Sequence, residues 1–241
     1  MPKILSVLII IILITTGCMN KNEDEIIMVT EAGFAPYEYW ENGEIVGVDI
    51  EIANEIAKYL NKKLIVKDIS FDSIINELNS KKADFAAAGM SITKERLKEV
   101  DFSIPYATSK QVIIVKKGST IKNIEDLNGK KVSVQLGSIA DITISEKYPN
   151  IILVRQKKFL SASEDVKNGK SDCIVMDILP ALELVKNNNM LEIVDKDLFS
   201  DSYGIAVKKG NKKLLDAINI VLERLIKEGK IEQYTIDYTS E

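Results

Sequence analysis

The 241-residue chain has no histidine. That absence removes His-based triads, most proton shuttles near neutral pH and most transition-metal sites. Cysteine is almost missing, with Cys18 and Cys173 alone, so one disulfide is the most the chain could form. Arginine is scarce: of 32 basic residues, only Arg96, Arg155 and Arg224 are arginines. There is no excess of positive charge, the net being −4 at pH 7, which argues against a nucleic-acid partner. No hydrophobic run is long enough to cross a bilayer. The run Ile4 to Ile14, broken only by Ser6, is about half of what a membrane-spanning helix needs.

What is present points to a globular binding fold. Hydrophobic residues make up 46% of the chain and charged residues 28%, enough for one large domain or two small lobes with real cores. The amino terminus stands apart. Lys3, the apolar run and Ile14-Thr15-Thr16-Gly17-Cys18 read as a signal peptide over residues 1–17. The ending resembles a bacterial lipoprotein cleavage site, with Thr15 where Leu is usual. On that reading Cys18 is the lipidated first residue of the mature protein and residues 18–25 are a tether. Losing Lys3 takes the net charge to −5. The alternative is an ordinary secretory signal with an incidental cysteine. With Cys18 lipidated, a disulfide to Cys173 is not expected, and Cys173 reads as a small buried hydrophobe.

Beyond the tether, strand and helix patterns alternate. Strands are expected near 26–30, 64–69 and 83–88, with helices over 48–60 and from 72 or 73 onward. Asn42-Gly43 suits a tight hairpin. A second alternation follows: a short helix at 124–127, a strand at 132–135, a helix after Gly137-Ser138, a strand at 151–154, a helix at 161–168, a strand at 172–176 and a helix opening at Pro180. Two helices close the chain, near 214–227 and 229–238. This predicts an α/β fold with largely parallel sheets. Two β-rich runs, near 109–115 and 202–208, bracket the second unit. A chain that leaves one lobe, builds another and returns crosses twice, so two lobes with a two-strand hinge and a cleft are expected. The division reads 26–109 for the first part of lobe one, 110–203 for lobe two and 204–241 for the return.

The run 86–106 organises the rest. A small-residue strand breaks at Gly89, passes Met90 and Ser91, and enters a helix capped by Thr93. Arg96 falls in the first helical turn, where the macrodipole disfavours a cation. Two readings stand: a planar fork gripping a carboxylate, or an ion pair with Glu99 or Asp101. Two further constellations face the same cleft. Gly137-Ser138-Ile139 offers N–H donors at a helix start, or is simply a turn. Asp177 ends a strand and would receive an ammonium group, or caps the next helix. Together, an anion site and an opposing carboxylate describe an α-amino acid. Phe34 and Phe71, in loops after lobe-one strands, would wall the ligand or pack in the core. Tyr37, Tyr39 and Trp40 read as mainly structural.

In order along the chain stand Phe34-Ala35-Pro36-Tyr37-Glu38, Gly43, Val46-Gly47-Val48-Asp49-Ile50, Phe71-Asp72-Ser73-Ile74-Ile75 with Leu78, and Lys82-Ala83-Asp84. Next come Ala88 through Arg96, Val100 through Tyr106, Leu127 through Val132, and Leu136-Gly137-Ser138. This set resembles the extracellular solute-binding proteins of polar amino-acid ABC transporters, the family-3 periplasmic-binding type, over residues 25–239. The resemblance implies a two-lobed, type II periplasmic-binding-protein-like fold. It implies that Arg96 grips the ligand α-carboxylate with help from Ser91 and the N–H groups around Gly89; Met90 and Ser138 join this anion site on the reading of the residues above. Asp177 takes the α-ammonium, Phe34 and Phe71 flank the side chain, and Glu31 meets its distal part. Gln135 and Met176 fall where the family varies its pocket. Ile139 departs from the usual Thr or Gly, leaving only a backbone N–H.

The expected function is capture of a polar L-amino acid, basic or amide, and delivery to an ABC permease. The protein would be a monomer, lipid-anchored on the outer face of the cell membrane or periplasmic, with no cofactor, no metal and no catalysis. An enzyme of the cyclohexadienyl-dehydratase kind is the alternative, with Glu31 or Asp177 as general acid. The lack of His and of a paired acid and base speaks against it. A sensory ligand-binding module is the third reading. A chain ending at Glu241 with no downstream membrane or kinase segment is expected to transport rather than signal.

Overall fold

The computed structural model describes residues 23–194 and 197–239. The expected signal peptide and Cys18 lie outside them. The first lobe opens with strand β1 (Glu25–Thr30) and a three-stranded ribbon, β2 (Gly33–Phe34), β3 (Glu38–Glu41) and β4 (Glu44–Val46). Asn42 and Gly43 both have positive φ, 50° and 86°, as the tight hairpin between β3 and β4 requires. Helix α1 (Val48–Tyr59) buries Ile52, Ala53 and Ile56 on one face. Strand β5 (Lys63–Asp68), helix α2 (Ile74–Asn79), strand β6 (Phe85–Ala86), helix α3 (Arg96–Glu99) and strand β7 (Val100–Phe102) follow.

The chain then crosses on β8 (Ala107–Lys116). The second lobe holds β9 (Lys131–Gln135), α4 (Ile139–Lys147), β10 (Ile152–Gln156), α5 (Phe159–Lys167), β11 (Cys173–Asp177), α6 (Ile178–Lys186) and β12 (Leu191–Val194). The return runs on β13 (Ser200–Tyr203), then β14 (Ala206–Lys208), α7 (Lys212–Lys227) and α8 (Lys230–Thr239).

Two sheets result. The first has the order β5-β1-β6-β14-β7 and the second β10-β9-β11-β8-β12, with β13 also on β8. β1 runs parallel to β5 and β6, and β9 parallel to β10 and β11. The returning β14 and the crossing β8 are antiparallel to their neighbours, so each sheet mixes directions more than a purely parallel reading expects. β8 and β13 pair antiparallel from Ala107–Tyr203 to Lys110–Ser200. These two strands join the lobes. The expected division at residue 110 falls inside β8.

Some boundaries move. The strand expected over 83–88 shrinks to Phe85–Ala86; Gly89, at φ 50°, gives its N–H to Asp49 Oδ2 instead of to a neighbouring strand. The helix expected from Asp72 or Ser73 starts as a 3₁₀ turn at Phe71 and becomes α-helical at Ile74. Neither residue caps it; Ser73 is bonded instead to Ser70, Oγ to Oγ at 2.9 Å. Helix α6 opens at Ile178, with Pro180 inside its first turn, where its missing N–H costs nothing. Cys173 is buried and its thiol pKa is pushed up by that burial, so it is an inert core residue.

Candidate functional site

The ends of β1, β6, β9 and β11 and the starts of α4 and α6 meet between the two sheets. There a small cavity is lined by Glu31, Phe34, Phe71, Gly89, Ser91, Gln135, Ser138, Ile139 and Asp177, all nominated from sequence. Glu38, Ala88 and Phe159 line it too. Its void is about 20 Å3, room for about one water molecule.

Contacts between the lobes close this cleft. The Arg96 guanidinium donates from Nη2 to the Gly137 carbonyl at 2.9 Å. Gln135 Nε2 donates to Glu31 Oε2 at 2.9 Å and also to the Lys157 carbonyl at 3.1 Å. Lys158 Nζ lies 3.6 Å from Glu31 Oε1 and 3.8 Å from Asp68 Oδ2. The Phe34 ring stacks on Phe159 across the cleft, centroids 5.8 Å apart.

Arg96 stands one layer behind the cavity wall. Its backbone N–H donates to Thr93 Oγ1 at 3.1 Å, so Thr93 does cap the start of this short helix. The guanidinium sits over the Phe71 face, 5.3 Å from its centroid, and Nη1 donates to the Ser91 carbonyl at 2.7 Å. It does not turn to Asp101, which pairs with Lys209 at 2.7 Å. Burial lowers its pKa to about 10, leaving it a cation at neutral pH.

Ser138 ends the turn begun by Gly137, whose φ is 76°, and caps α4 by accepting the Asp141 N–H at 3.2 Å. Asp177 occupies the N-cap position of α6, yet its side chain makes no capping bond. It accepts the Tyr203 hydroxyl instead. Burial first, then the neighbouring Asp201 carboxylate, push its pKa up, while Ser109 and Gln111 pull the other way.

Other nominees sit differently. Gly89 lines the cavity, but its N–H donates to Asp49 Oδ2 at 3.0 Å. A Cβ there would stand 2.5 Å from the Phe34 ring, so the absence of a side chain lets the ring close down. Met90 faces the core with Val29, Ile74 and Val100, and it borders an outer groove with Arg96. Met176 also misses the cavity. It precedes Asp177 on β11, and successive side chains of a strand point to opposite faces. It lines a groove with Tyr39, Trp40 and Leu184 instead.

Sequence reasoning did not nominate Glu38, Phe159, Lys158 or Asp201. Glu38 lies within a quoted motif, and its burial pushes its pKa well up, helped by the Asp49 carboxylate. Asp49, which also accepts the Tyr106 hydroxyl at 2.7 Å, is itself raised to about 6 by burial. These acids and tyrosines form a buried polar layer beneath the cavity.

The chain is similar in sequence and fold to known proteins. Residues 26–241 match the model of bacterial extracellular solute-binding proteins, family 3. The arginine-binding extracellular protein ArtP of Bacillus subtilis is 32% identical over 90% of this chain and 89% of its own length. The ABC transporter glutamine-binding protein GlnH of the same organism is 35% identical over 80% of this chain and 72% of its own. A crystal structure of a mutant of ArgBP from T. maritima superposes with a TM-score of 0.87 at 42% identity, covering 90% of this chain and 96% of that one. With its two α/β lobes joined by paired strands and its polar cleft, the chain belongs to the bacterial extracellular solute-binding proteins, family 3.

Proposed function

We propose that this protein is the substrate-binding component of an amino-acid ABC transporter, taking a polar L-amino acid, basic or amide, into the interlobe cleft. One observation carries the reading: a closed cavity between two lobes holds a serine and a helix start, with Arg96 behind it, and buried Asp177 and Glu31 carboxylates. That is the complement of a zwitterion with a donor-bearing side chain. Relatives that bind arginine and glutamine support it.

The roles follow from the contacts. Parting the lobes breaks the Arg96–Gly137 bond and frees one face of the guanidinium. A ligand carboxylate takes that face, with Ser91, Ser138 and the first N–H groups of α4 as further donors. Its ammonium meets Asp177, relieving a buried charge otherwise opposed by Asp201. Phe34 and Phe71 wall the side chain, and Glu31 with Gln135 reads its far end. Ile139 contributes backbone and apolar surface only. Closure around the ligand makes the form that docks on the permease. The β8–β13 pairing supports the lobe division 26–109, 110–203 and 204–241 as the unit of that motion.

The same reading makes the protein a monomer on the outer face of the cell membrane, or in the periplasm, held through a lipid on Cys18. No helix among the described residues is long and apolar enough to cross a membrane; the support for the anchor is the sequence motif that ends at Cys18. A Cys18→Ser variant is expected to leave the membrane fraction; an unchanged distribution contradicts the anchor. The function itself is tested by a thermal-shift screen of the twenty amino acids. A ligand at a hundredfold excess over its Kd adds about 2.7 kcal/mol to the bound fold. A marked rise with at least one basic or amide amino acid is expected. A flat response across the set contradicts the reading, and turnover of a prephenate-like acid would replace it with the enzyme.

A further inference from the structure

Glu31 is a carboxylate buried to 1% exposure in an otherwise closed cleft. Gln135 satisfies Oε2, but Oε1 has no hydrogen-bond partner among the described residues. A buried carboxylate oxygen without a donor is costly. The cation nearest to it is Lys158, at 3.6 Å and only half-buried. That distance is an ion pair, not a hydrogen bond. Lys158 is shared with Asp68, 3.8 Å away.

Asp68 is fixed independently. Its Oδ1 accepts the Ala32 N–H at 2.9 Å and its Oδ2 the Trp40 indole N–H at 3.1 Å. It therefore holds the loop that carries Glu31. Lys158 comes from the other lobe, next to Lys157, whose carbonyl also receives Gln135. Two carboxylates thus share one ammonium, leaving one negative charge at the distal end of the cleft. Burial raises the Glu31 pKa, and Lys158 is among the groups that counter it.

Resting on the amino-acid reading of this cleft, we propose that Lys158 is a specificity-determining residue. It is an internal cation that competes with the ligand's own side-chain cation for Glu31, with Asp68 as the alternative seat that lets it yield. A basic ligand brings a donor to the empty Oε1 position, and Lys158 moves its weight onto Asp68. A neutral amide leaves Lys158 where it is. The Glu31–Asp68–Lys158 set therefore adjusts the preference between cationic and amide side chains, apart from the groups that hold the α-carboxylate and α-ammonium.

The test is titration calorimetry of L-arginine and L-glutamine on the mature protein and on Lys158→Met. Removing a half-exposed competing charge is expected to raise the arginine-to-glutamine affinity ratio about threefold. Asp68→Asn, which leaves Lys158 only Glu31 to pair with, is expected to lower it. If Lys158 only helps to close the lobes, both ligands weaken equally in Lys158→Met; that unchanged ratio, or a fall, overturns the inference while amino-acid binding stands. Wild-type protein that binds neither ligand nor any other amino acid overturns the functional reading and this inference together.

Discussion

Glu31, Glu38, Asp49, Asp177 and Asp201 all lie in or beneath the cleft, and burial raises the pKa of each. A carboxyl whose folded pKa exceeds its unfolded value binds more protons when folded, so stability falls as pH rises through the window between the two. For Asp49 that window runs from 3.8 to about 6. Glu55 and Asp101 are shifted down, by Arg224 and Lys209 respectively, but their contribution is lost only below their ordinary values. The ligand-free protein is therefore expected to show a higher urea midpoint at about pH 5 than at about pH 7; a lower midpoint at the acidic pH contradicts these assignments. Arg96 was legible in the sequence because its charge opposed the helix dipole at its position. Lys158 was not: it is one lysine among many, and only the folding of one lobe against the other gives it Glu31 as a neighbour. Asp201 was hidden similarly, since its meeting with Asp177 depends on where β13 lies relative to β11.

Helix α4 and the turn before it show how much a single element contributes to the site. Gly137 supplies the positive φ, Ser138 caps the helix, and Ile139 lines the cavity. Ser138→Ala is expected to cost about 1 kcal/mol of stability through the lost cap. Calorimetry is expected to show weaker ligand binding as well; a stability loss with affinity unchanged assigns Ser138 to the helix alone. This element was readable because a Gly-Ser pair before an apolar-periodic run is a local signal. Strand direction was not. β8 and β14 are apolar runs buried in their sheets, and their residues carry no mark of parallel or antiparallel pairing. The length of β6 also escaped local reading, since its end is set by where Gly89 must turn to meet Asp49 and Phe34.

At the scale of the whole molecule, two sheets joined by β8 and β13 face each other across the small cavity between the lobes. The contacts that close it, Arg96 to Gly137, Gln135 and Lys158 to Glu31, and Phe34 to Phe159, occupy groups assigned to the ligand. Arg96, Gln135 and Phe34 are thus engaged across the cleft, while Glu31 Oε1 keeps no hydrogen-bond partner among the described residues. Two lobes and a double crossing were legible from the order of strands and helices. The contacts across the cleft were not, because they depend on side chains far apart in sequence. The central claim is that the cleft reads an α-amino acid through Arg96. Titration calorimetry across the twenty L-amino acids, on wild type and Arg96→Ala, tests it most directly. The account predicts at least one tight polar ligand whose affinity falls by about a hundredfold or more without the guanidinium, a charge-assisted bidentate contact being worth about 3 kcal/mol. An amino acid bound equally well by both proteins would contradict it.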